Sequence, residues 1–130
     1  QISAKHILIM VDSCYAGSTI KGNLTTEGDW NISNKDFSMK YITKMLARRT
    51  RQIITSGNVE RVVDAYIQNH SLFAYKFLDI LKKNENYTTG RIVYGELHKY
   101  IVDATSTNPQ FSKLKNMGDI DGEFFFIVKN

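Results

Sequence analysis

An acid, a hydroxyl, a thiol and a turn residue follow one another in Asp12-Ser13-Cys14-Tyr15-Ala16-Gly17-Ser18, directly after the apolar run Ile7-Leu8-Ile9-Met10-Val11. Cys14 is the sole cysteine, so it has no partner for an internal disulfide and fits a reducing compartment where a free thiol persists as a nucleophile. A thiol attacks a carbonyl carbon as the thiolate, and with an ordinary pKa near about 8.5 it needs a neighbouring base or a lowered pKa. Asp12, a like charge to the thiolate, works against that lowering, so a histidine is required. The chain offers three. His6 stands far back along the apolar run, about 26 Å from Cys14 at about 3.3 Å per residue, and is out of reach. His98, between Leu97 and Lys99 in a helical pattern, reads as a surface imidazole. His70, at the mouth of another helical pattern, is the one histidine on the correct edge.

The elements that must position this chemistry follow from periodicity. Ile7 to Val11 reads as a strand buried on both faces in the middle of a parallel sheet, with its ligand crevice at the carboxyl end. Thr19 to Lys35 is polar and aperiodic, a long loop carrying Lys21 and Lys35 as exposed basic positions. Phe37, Tyr41, Ile42, Met45 and Leu46 share one face of an amphipathic helix with Asp36 placed to cap it. Gln52 to Gly57 is a second strand, which makes a parallel strand-helix-strand unit and brings Gly57 to the same edge as Cys14. The loop Asn58 to Asn69, with Glu60, Arg61 and Asp64, then overhangs the thiol. Ser71 opens a second helix with Phe73, Phe77, Leu78 and Leu81 inward, and a turn at Thr88-Thr89-Gly90 leads to a third with Val93, Leu97, Tyr100, Ile101 and Ala104 on one face. Pro109 ends it; Gln110 to Leu114 reads as a short strand and Glu123 to Val128 as another, joined by a turn over Gly118 to Gly122.

Bulk properties narrow the classes. The sequence is 130 residues long with a net charge of +4, one domain at most. It contains no leader pattern and no run of about 20 apolar residues, so the expectation is a cytoplasmic protein without a membrane partner. The basic cluster Lys40, Lys44, Arg48, Arg49 and Arg51 reads as a solvated helix end rather than a nucleic-acid surface. Asp119-Ile120-Asp121-Gly122 has the look of the start of a calcium loop but lacks the remaining ligands, and reads as a plain turn. No cofactor or metal is expected.

The heptapeptide from Asp12 to Ser18 after a hydrophobic strand resembles the nucleophile segment of the metacaspases and bacterial caspase-like peptidases, whose pattern is Asp-Ala/Ser-Cys-x-Ser/Ala-Gly. Further landmarks similar to that family come in order along the chain: Thr55-Ser56-Gly57, His70-Ser71-Leu72-Phe73, Pro109-Gln110, Gly118-Asp119 and Gly122-Glu123-Phe124-Phe125-Phe126. The resemblance implies a three-layer caspase-like α/β sandwich, a mostly parallel sheet with helices on both faces and an edge strand at the C-terminus. Residues 1–130 would be the C-terminal part of one such domain: 1–18 the nucleophile strand and turn, 19–36 the inter-subunit loop, 37–130 the small-subunit-like part. At 130 residues the chain is smaller than the roughly 200 to 250 residues of a whole unit.

The resemblance further implies a cysteine endopeptidase with Cys14 as nucleophile and peptides or proteins as substrates. Asp12 would line the S1 pocket and pair with a P1 arginine or lysine, Ser56 would border the substrate, and Asp64 would be a second wall. The family's base is a histidine in a turn roughly 50 residues before the cysteine, so an amino-terminal large-subunit segment must bring it, together with half of the oxyanion hole. Calcium-dependent metacaspases carry an acid shortly after the cysteine, where this chain has Ser18-Thr19-Ile20-Lys21. Two other classes remain: a catalytically silent caspase-like module that binds a partner, and a separase-like cousin with a different substrate rule.

Overall fold

The computed structural model describes residues 2–13, 37–57, 66–67 and 70–129. Strand β1 (His6–Val11) and strand β2 (Thr50–Thr55) run parallel, joined across helix α1 (Met39–Ala47), with Leu8 opposite Gln52 and Met10 opposite Ile54. Strand β6 (Gln110–Lys113) closes the other side of β2 antiparallel, so the sheet is mixed, in the order β1-β2-β6. The fold is a small α/β domain with the strand-helix-strand unit expected of its periodicities. Two short ribbons complete it: β3 (Tyr66–Ile67) with β4 (His70–Ser71), and β5 (Tyr87–Thr89) with β7 (Phe125–Ile127).

Helix starts are set by hydroxyl caps, each worth about 1 kcal/mol. The α1 cap is the Ser38 side chain, accepting from the Tyr41 amide at 3.2 Å. The expected cap, Asp36, lies outside the described residues. Ser71 caps α2 (Leu72–Lys82) through the Ala74 amide, and Thr89 caps α3 (Gly90–Ala104) through the Ile92 amide. Strand alternation then sorts the core. Leu8, Met10, Ile54 and Phe111 lie on one face of the sheet and pack with Leu72 and Phe73 of α2 and Val93, Tyr94, Leu97 and Ile101 of α3. Ile54, Val93 and Leu97 are wholly excluded from solvent. On α2, Ile80 joins this core whereas Leu78, expected inside, is exposed, because the helix turns Phe73, Phe77 and Ile80 toward α3 and the β5–β7 ribbon.

Two expectations are revised. Strand β1 is not buried on both faces: among the described residues it pairs on one side only, and Ile9 is 40% exposed. α2 and α3 cover the Leu8 and Met10 side of the sheet, and α1 is tied to that same side through His6. The C-terminal strand β7 joins β5 rather than the edge of the main sheet, held by amide bonds from Gly90 to the Phe124 carbonyl and from Val128 to that of Asn86, both 2.9 Å. The turn over Gly118 to Gly122 is built as a turn. Its buried Asp119 carboxylate accepts from the amides of Arg51 at 2.8 Å and Asp121 at 2.9 Å, and Asp121 in turn pairs with Lys113 and Lys115. Those two ammonium groups hold the Asp121 carboxyl below the usual carboxylate range. No described helix is long and apolar enough to cross a membrane.

Tyr94 fixes the junction of α3 with β6, donating to the Pro109 carbonyl at 3.1 Å. Burial pushes its phenol up from 10.0 to about 12. A raised acid pKa in the folded state means that the stabilisation is complete below the ordinary value and is lost as pH rises through the folded one. Alkaline unfolding should therefore develop between pH 10 and about 12, with the Tyr94 phenol ionising near the upper end of that range in a tyrosinate absorbance titration. Tyr94→Phe should cost about 1 kcal/mol at neutral pH and flatten that alkaline limb; an unchanged limb would contradict the assignment.

Candidate active site

Parallel pairing brings the carboxyl ends of β1 and β2 side by side, and buried hydroxyls fasten the turns beyond them. The Ser56 amide donates to the Val11 carbonyl at 2.9 Å. The Ser13 amide donates to Ser56 Oγ at 3.2 Å, and that hydroxyl reaches the Ser13 carbonyl at 3.4 Å. Ser56 is 1% exposed, so its side chain serves as the latch of the turn that carries Asp12 and Ser13. Thr55 adds a second tie, its hydroxyl donating to the Gly57 carbonyl at 2.8 Å.

The N-terminus of α2 meets the same turn. Ser71 Oγ donates to Asp12 Oδ2 while accepting the Ala74 amide at 3.0 Å, so one hydroxyl links the acid to the cap of the helix. The carboxylate thus stands at the N-terminal end of an 11-residue helix. Asp12 and Ser13 are exposed. Beneath them Asp12, Ser56, Ser71, Phe73, Thr105 and Thr107 surround a crevice of about 10 Å³, room for one water at most. A ligand therefore meets Asp12 from its solvent side. Thr105 is itself spoken for, donating to the Ile101 carbonyl at 2.9 Å and sharing a 2.7 Å hydroxyl contact with Thr107.

Of the residues expected in the site, the described chain brings together Asp12 and Ser56, with His70 exposed beside Ser71 on the same edge. Cys14 and Asp64 lie outside the described residues. His6 is committed elsewhere: Nε2 donates to the Leu46 carbonyl at 3.1 Å and Nδ1 meets Thr50 Oγ1 at 3.3 Å, tying β1 to the end of α1. His98 Nε2 contacts Asn108 Oδ1 at 2.9 Å, far along α3. Sequence reasoning missed the pairing of Ser71 with Asp12. The Ser71 helix start was visible, but only the parallel register puts that start against the end of β1. Among the described residues no cluster of three His, Cys, Asp or Glu side chains is placed to hold a metal ion.

The arrangement presents an exposed carboxylate, pinned on both flanks, at the root of the segment that continues to the thiol. It can receive a cation. Compared with family models, curated proteins and solved structures, the chain matches none.

The Ser71–Asp12 link is open to measurement. Ser71→Ala should destabilise by about 1 to 2 kcal/mol through the lost cap, and a double-mutant cycle with Asp12→Asn should give a coupling of about 1 kcal/mol. Zero coupling in urea unfolding would mean that the two side chains act independently.

Proposed function

We propose that this chain is the C-terminal part of a three-layer caspase-like domain, a cysteine endopeptidase that cleaves after arginine or lysine. Supporting the reading above all is Asp12: an exposed carboxylate held at a parallel strand end by Ser71 and, through the Ser13 turn, by Ser56, two residues ahead of the lone cysteine. A guanidinium docks on such a carboxylate as a two-pronged, charge-assisted fork.

In this reading the Cys14 thiolate attacks the scissile carbonyl carbon, and the developing oxyanion is met by the Cys14 amide and a second amide from outside this chain. The base is a histidine brought by an amino-terminal large-subunit segment; it takes the thiol proton and returns it to the leaving amine. Water then attacks the thioester and frees Cys14. Ser56 acts through the turn, holding the Ser13 backbone that follows Asp12. His6 and His98, both engaged elsewhere, take no part.

The chain joined to its histidine-bearing segment should hydrolyse peptides, and Cys14→Ala should abolish this with the fold intact. A P1 arginine on Asp12 is worth about 1.5 to 3 kcal/mol, roughly ten- to a hundredfold in selectivity, and a P1 aspartate is repelled. A positional library should therefore show P1 arginine and lysine cleaved, aspartate ignored, and the basic preference largely lost in Asp12→Asn. Unchanged turnover in Cys14→Ala would remove the nucleophile; a P1 preference for aspartate would remove the pocket assignment; absence of turnover in the joined enzyme would leave a binding module.

A further inference from the structure

Toward the end of α2 remote from Asp12, a space of about 280 Å³ opens between that helix, the first turns of α3 and strand β5. From the α2 side Lys76, Asp79 and Lys83 line it, spaced three and four residues apart and so on one helix face. From α3 comes Glu96, and from β5 comes Thr88.

The charges are divided between the walls. Both ammonium groups converge on one oxygen of Asp79, Lys76 at 3.1 Å and Lys83 at 2.9 Å, which leaves a positive charge over on the α2 wall. On the α3 wall Glu96 is exposed and makes no ion pair among the described residues; its charge reaches Lys83 only through space. Ile80 and Ile92 add an apolar lining. Lysine–aspartate pairs at this spacing are common on helix surfaces and need no ligand. Thr88 is different: it is 2% exposed, and its buried Oγ1 has no hydrogen-bond partner among the described residues. A buried hydroxyl left unpaired is costly and rare, so one at the wall of a cavity points to a partner that the chain does not itself provide.

We propose that this space binds a free aliphatic α-amino acid, with its carboxylate on the Lys76 and Lys83 ammonium groups and the Thr88 hydroxyl, its ammonium on Glu96, and its side chain against Ile80 and Ile92. A simple anion would meet the Glu96 carboxylate and a simple cation the two lysines, whereas a zwitterion with an apolar side chain finds a complement on each wall. The proposal goes beyond the peptidase reading and is independent of it, since it uses neither Cys14 nor Asp12.

A nuclear magnetic resonance titration of the 130-residue chain with L-leucine tests it, read at the backbone amides of Lys83, Thr88, Ile92 and Glu96. Saturable shifts should appear at these amides. Leucinamide, which lacks the carboxylate, and isocaproate, which lacks the ammonium, should each bind about tenfold more weakly. Glu96→Gln should bring leucine down to the level of isocaproate without weakening isocaproate itself. Thr88→Val keeps the shape of the side chain and removes the unpaired hydroxyl, so it should leave the urea midpoint no lower while weakening leucine about three- to tenfold. The proposal falls if no saturable shift appears at these residues, if either truncated analogue binds as tightly as leucine, or if Glu96→Gln or Thr88→Val binds leucine unchanged. A lower urea midpoint in Thr88→Val would mean that the hydroxyl has its partner within the fold, and would overturn it too.

Discussion

Everything in this domain hangs on the parallel pairing of β1 with β2. That ladder carries the site at one end, and β2 is immobilised from every side to hold it. Thr50, Gln52, Ile54 and Thr55 are excluded from solvent. Asp119 binds the Arg51 amide, β6 flanks the strand, and Gln52 Nε2 reaches the buried Glu123 at 3.0 Å. Glu123 also lies 3.4 Å from Arg91 of α3, so one carboxylate links Gln52 of the central strand to the third helix. Removing Arg91 would leave the Glu123 carboxylate buried without its counter-charge, which is costly. At Gly122 a side chain has no room, since a Cβ would sit 2.3 Å from Thr50 Oγ1 and 2.6 Å from the Arg48 carbonyl. The turn between Asp119 and Glu123 is thereby pressed against the start of β2.

The local elements were legible because each rests on a short-range rule. Apolar runs gave β1 and β2, the 3.6-residue period gave the three helices, and Ser71 announced the start of α2. Longer-range features were not. A run such as Ile7 to Val11 looks alike whether its sheet neighbours are one or two, and hydrophobicity cannot tell a buried face from one awaiting cover. The Glu123 to Val128 run reads as an edge strand of the main sheet; Phe37, Tyr87 and Phe125 instead gather into an aromatic cluster with centroids 6.2 to 6.4 Å apart, which fixes β7 on β5. Leu78 and Ile80 are equal in hydropathy pattern, and only the packing of α2 on α3 chose between them.

The site was legible in type and only half legible in geometry. Asp12 at a strand end was visible from the sequence, as was the arrival of the Gly57 end of β2 at the same edge; the latch that Ser56 forms on the Ser13 turn was not. The hydroxyl of Ser71 was not, because the pairing spans a sequence distance that no local period reports. That hydroxyl also steadies the proposed pocket. A carboxylate already held by one donor and a helix terminus keeps its position when a cation arrives, so less side-chain entropy is lost on binding.

The central claim is that the thiol following Asp12 is a peptidase nucleophile whose pocket takes a base. Covalent trapping tests it in one step: the chain joined to its histidine-bearing segment is treated with peptidyl fluoromethyl ketones ending in arginine or in aspartate, and the labelled residue is located by mass spectrometry. The account predicts alkylation at Cys14 by the arginyl reagent, slowed about tenfold or more in Asp12→Asn, with the aspartyl reagent inert. Faster labelling by the aspartyl reagent, or label on any residue other than Cys14, would contradict it.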